Sequence, residues 1–61
     1  MLPLGDTPLE VSIIKHLANE PAETDALIEK LSEPPSEVLQ ALTMLELNGT
    51  IKAEAGKYFL R

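Results

Sequence analysis

His16 is the only imidazole in this sequence, and an imidazole is the side chain that most often moves protons or holds a transition metal near neutral pH. It stands beside Lys15, with no cysteine in the chain and no His/Asp spacing that converges on it, so it reads as a solvated or core-edge histidine. The ten acids are likewise not spaced with a base, a nucleophile and an oxyanion donor. We expect no catalytic residue, no metal, no cofactor and no small-molecule substrate. The length points the same way, because a domain of roughly 60 residues buries only about 60% of its unfolded surface and has little room for an enclosed pocket.

What remains is recognition. Ser36, Gln40 and Thr43 carry groups able to bond base edges, and a glutamine pairing with adenine is the most geometry-specific of these. Lys52, Lys57 and Arg61 are three of the five cations and lie together near the C-terminus, where they are candidates for phosphate contacts; lysines at a strand edge serve equally to block aggregation. Charge stands against a nucleic-acid partner. The formal net charge is −5, and between Leu31 and Ile51 there is no Lys, Arg or His while Glu33, Glu37 and Glu46 fall in that interval. Phosphate contacts supply much of the affinity for DNA, so DNA binding is expected to be weak. For a protein partner the candidates are Leu39, Met44, Leu47 and Phe59, apolar residues that fall outside the core pattern. Two readings of Leu47 and Phe59 stand side by side: a partner patch, or a satellite cluster in which they cover each other.

The elements that position these residues follow from punctuation and period. Residues 1–7 contain Pro3 and Gly5 without periodicity and read as a linker, leaving 8–61 as one domain. Thr7-Pro8-Leu9-Glu10 is a capping box with proline at the first helical position, and Leu9, Ile13, Ile14 and Leu17 recur at helical spacing until Asn19-Glu20-Pro21. Thr24-Asp25 offers polar side chains for a second start, with Leu27, Ile28 and Leu31 as the apolar face before Pro34-Pro35. At about 100° per residue, Val38, Ala41, Leu42 and Leu45 share one side of a third helix, and Ser36, Gln40, Thr43 and Leu47 share the other. Asn48-Gly49 closes it. Ile51 and Ala53 then alternate with Lys52 and Glu54, Ala55-Gly56 turns the chain, and Tyr58 and Leu60 alternate with Lys57, Phe59 and Arg61. The expected fold is mainly α with a small β-hairpin, a winged helix-turn-helix of three helices plus a C-terminal wing. Its expected core is Leu9, Ile13, Ile14, Leu17, Leu27, Leu31, Val38, Leu42, Leu45, Ile51, Tyr58 and Leu60.

The run Pro35-Ser36-Glu37-Val38-Leu39, Ala41-Leu42 and Leu45-Glu46-Leu47 to Gly49, followed by Ile51-Lys52 and Gly56-Lys57-Tyr58, closely resembles the C-terminal winged-helix domain of the DprA/Smf DNA-processing proteins. Upstream, Pro21 to Leu27 is similar to the family's Pro-Leu-x-Ile-Asp-x-Leu segment, with Asp25 and Leu27 aligned. Two positions depart from the pattern. Ala22 and Thr24 stand where larger apolar residues form a short first strand, and Pro34 stands where a Ser or Thr caps helix three. The resemblance implies an accessory module of a larger protein acting in natural transformation, DNA uptake and RecA-linked recombination. It implies as partner the parent protein's Rossmann-like domain or another DNA-processing protein, and the alternative is a small DNA-binding domain contacting duplex DNA through helix three and the wing. The absence of cysteine, of a cationic leader and of any long apolar run makes a cytoplasmic location the expectation, with no membrane contact.

Overall fold

In a computed structural model that describes residues 7–61, the chain folds in the order α1 (Pro8–Asn19), α2 (Thr24–Leu31), α3 (Pro35–Leu47), β1 (Ile51–Glu54) and β2 (Lys57–Leu60). The expected linker falls almost wholly on residues 1–6, outside the described residues. α1 begins as its punctuation dictates: Thr7 is extended, and its Oγ1 accepts from the Glu10 backbone N–H at 3.1 Å, with Pro8 at the first helical position.

The start of α2 differs from the sequence reading. Glu23 is the capping residue and its side chain makes no capping bond, while Thr24 and Asp25 lie inside the first turn. Asp25 still favours the positive end of the helix dipole there. The helix ends at Ser32, a left-handed residue with φ 55°, whose N–H donates to the Ile28 carbonyl at 3.0 Å. Pro34 cannot cap α3 with a side chain, and instead its carbonyl accepts from the N–H groups of Glu37 and Val38.

A Schellman motif stops α3. Gly49, at φ 82°, donates its N–H to the Glu46 carbonyl at 3.1 Å, and Thr50 donates to the Leu45 carbonyl at 2.9 Å. Asn48 Oδ1 accepts from both the N–H and the hydroxyl of Thr50, at 3.1 and 2.6 Å, so helix end and strand start are clasped together. The hairpin that follows pairs Ile51 with Leu60, Lys52 with Phe59, Ala53 with Tyr58 and Glu54 with Lys57. Ala55 and Gly56 both have positive φ, 53° and 80°, which is the signature of a two-residue type I′ turn.

α3 packs against α1, α2 and β1, and α1 also reaches β2. Ile13, Leu17, Leu27, Val38, Leu42, Leu45 and Ile51 are buried between them, with Ile14, Ala22 and Ala41 completing the core. Leu9, Leu31, Tyr58 and Leu60 are half-buried members of its edge rather than interior residues, because in a domain this small the ends of α1 and α2 and the hairpin are the surface. Ala22 has no local apolar pattern, yet it is buried. It forms an isolated antiparallel bridge with Tyr58, Tyr58 N–H to Ala22 carbonyl at 2.8 Å and Ala22 N–H to Tyr58 carbonyl at 3.2 Å. The short first strand is thus a single bridge pair. The architecture is that of a winged helix.

Candidate functional site

The burial of Val38, Ala41, Leu42 and Leu45 fixes how α3 is rotated, and therefore what it shows to solvent. Ser36, Gln40 and Thr43 are all exposed. Thr43 Oγ1 donates to the Leu39 carbonyl at 2.9 Å, which commits its hydroxyl proton to the helix's own backbone and leaves it an acceptor toward a ligand. Leu39, Met44 and Leu47 are 48%, 49% and 77% exposed, so the helix presents three large apolar side chains beside a charge-free band of Ser36, Gln40 and Thr43. Glu37 and Glu46 border that band. The last turn of α3 carries no basic residue, and Glu46 near the negative end of the helix dipole deepens the local negative potential.

The wing gathers the remaining candidates. By strand alternation and register, Lys52, Glu54, Lys57 and Phe59 share the outer face of the hairpin. Lys52 Nζ lies 5.9 Å from the centre of the Phe59 ring and 3.8 Å from Glu54 Oε1. Glu54 in turn stands opposite Lys57 across the ladder. One carboxylate therefore sits between the two lysines and offsets part of their field. Arg61 follows β2, with its N–H donating to the Thr50 carbonyl at 3.0 Å and its side chain exposed. Phe59 is half-buried, and Leu47 at 77% exposure has little surface covered by Phe59 or by any other residue.

Sequence reasoning did not find one feature, a groove of about 440 Å³ between the start of α1 and α3. Pro8, Leu9 and Glu10 line one side and Glu37, Gln40 and Met44 the other, with Glu33 contributed by the connection before α3. It brings three carboxylates, one of them on the buried Glu10, to apolar walls. The signal was present in the acids themselves, but their convergence depends on how α1 meets α3. His16 lies 4.0 Å from Glu20 one helical turn later, and among the described residues no group of three His, Cys, Asp or Glu is placed to hold a metal ion.

Neither the curated proteins nor the solved structures contain a significant match to the chain. The family model for the DprA winged helix domain matches residues 1–57, nearly the whole sequence, and agrees with three helices followed by an antiparallel hairpin. The chain belongs to the DprA winged helix domain family.

Proposed function

We propose that this winged helix is a non-enzymatic accessory module of a DprA/Smf-like DNA-processing protein, active in DNA uptake and RecA-linked recombination, and that it docks on protein more than it grips DNA. The partner in this reading is the parent protein's Rossmann-like domain or another DNA-processing protein. One observation carries it: the face of α3 that a helix-turn-helix protein lays in a groove shows Leu39, Met44 and Leu47 bordered by glutamates, without a single cation. Apolar side chains gain by leaving water against another apolar surface, whereas carboxylates repel phosphates. Among the described residues no helix is long and apolar enough to cross a membrane.

The runner-up is a small DNA-binding domain working through Gln40 and the wing. Its support is the register that places Lys52 and Lys57 on one exposed face, and its weakness is Glu54 between them. Titration of the chain against single- and double-stranded DNA at two salt concentrations separates the two. The expected result is no binding tighter than about 10⁻⁴ to 10⁻⁶ M, the non-specific range. Submicromolar affinity for any duplex at about 150 mM salt would overturn the protein-docking reading.

A further inference from the structure

We infer that the α3 face and the adjoining α1–α3 groove form one docking surface for a cationic amphipathic segment of a partner protein, apolar residues seating on Met44 and Leu47 and a Lys or Arg entering the groove toward Glu33 and Glu37. The inference rests on the protein-docking reading above and names the chemistry of the partner. The two features are continuous, because Gln40 and Met44 line the groove and Leu47 lies one turn beyond Met44 on the same helix. At about 440 Å³ the groove is near the small end of the roughly 300–1,000 Å³ range of ligand pockets, room for a long side chain but not for a packed helix. Leu9 and Met44 supply walls for an aliphatic stem, and the carboxylates accept from an ammonium or guanidinium at its tip.

Charge selects the occupant. A second copy of this chain would bring acid against acid, since each carries a net charge of −5 and the α3 interval has no cation to answer Glu33, Glu37 and Glu46. A nucleic acid meets the same sign. A basic protein segment is complementary at both the rim and the groove, and its approach is steered by the same field.

The test uses the full 61-residue chain and two synthetic helical peptides with identical leucine spacing, one flanked by arginines and the other with every arginine replaced by glutamate. Binding is read from amide chemical shifts by NMR. The arginine peptide is expected to shift Glu37, Gln40, Met44 and Leu47, to weaken as salt rises, and to bind more tightly than the glutamate peptide. Glu33→Gln with Glu37→Gln, both at exposed positions, should weaken the arginine peptide by about two- to thirtyfold, the product of two surface ion pairs, while the domain stays folded and its thermal midpoint falls by only a few degrees, about what losing the Glu37 charge from the first turn of α3 costs. Leu47→Ala should weaken it independently of salt.

Equal affinity for the two peptides, no binding of either, or shifts confined to the hairpin would overturn the inference. A preference for the glutamate peptide on the same face would refute the cationic partner while leaving protein docking intact. Submicromolar duplex binding on α3 would remove both.

Discussion

Among the described residues Ser32 and Ala55 are the non-glycine residues at positive φ, and Ala55 is the one of the two without a polar side chain. Ala55 occupies the first central position of the type I′ turn at φ 53°, a conformation that costs an L-residue roughly 1–2 kcal/mol because Cβ crowds the following carbonyl oxygen. Asparagine tolerates that region, and Asn-Gly is the preferred pair for such a turn. Ala55→Asn keeps the exposed position and the neighbouring Gly56, so the gain is the part of the strain that asparagine relieves, about 0.5–1 kcal/mol. In a domain of this size each kcal/mol moves the midpoint by roughly 4–8 °C, which gives an expected rise of about 2–8 °C in a far-ultraviolet circular dichroism melt. Ala55→Val is the control with opposite sign, since a β-branched residue is still less compatible with positive φ. A midpoint for Ala55→Asn at or below that of the parent, or a Val variant as stable as the parent, would show that the turn is not held in this geometry in solution.

Leu45 is fully buried, so Leu45→Ala is expected to cost about 2–5 kcal/mol, against a total of roughly 3–9 kcal/mol at the usual stability per residue, and to leave the domain largely unfolded in a thermal melt. Gly49→Ala meets open space, with nothing within 4 Å of the added Cβ, so its cost of about 1 kcal/mol comes from the positive φ alone; Gly49→Asn should lose less, and equal melts for the three proteins would refute the backbone argument. If DNA binds weakly through the wing, changing Lys52, Lys57 and Arg61 together to Gln should abolish it, and the salt slope of the parent should not exceed about 3 in magnitude because three cations neutralise at most three phosphates. Glu37→Lys with Glu46→Lys should strengthen the same binding, as measured by fluorescence anisotropy.

Local chemistry made much of this fold legible. Thr7-Pro8 and Asn48-Gly49 are start and stop signals, respectively, whose geometry is complete within a few residues, and the structure realises both as capping bonds. The core face of α3 followed from its period. Ala22 could not be read in this way, because its burial comes from a bridge to Tyr58 far along the chain, and neither residue belongs to a periodic run that announces the other. The start of α2 was shifted for a related reason: with Ala22 tied to β2, the chain enters the helix through Glu23, and the polar residues suited to capping fall one step too late. At the surface, the lack of cations on α3 was plain from the sequence. The α1–α3 groove was not, since it arises from the meeting of two elements that the sequence describes only separately.

The Ala22–Tyr58 bridge also settles what kind of object the wing is. Through two backbone hydrogen bonds the hairpin is spliced to the joint between α1 and α2, so the chain is closed into a loop of structure with its last strand as the latch. A tug on β2 is passed to the junction of the first two helices and not only to α3, from which the hairpin grows. The wing therefore cannot be trimmed or swapped as a detachable surface ornament. Shortening the chain before Tyr58 opens the latch, exposes Ala22 and strips the cover that β2 gives α1, leaving the first two helices tied to the third by their own packing alone.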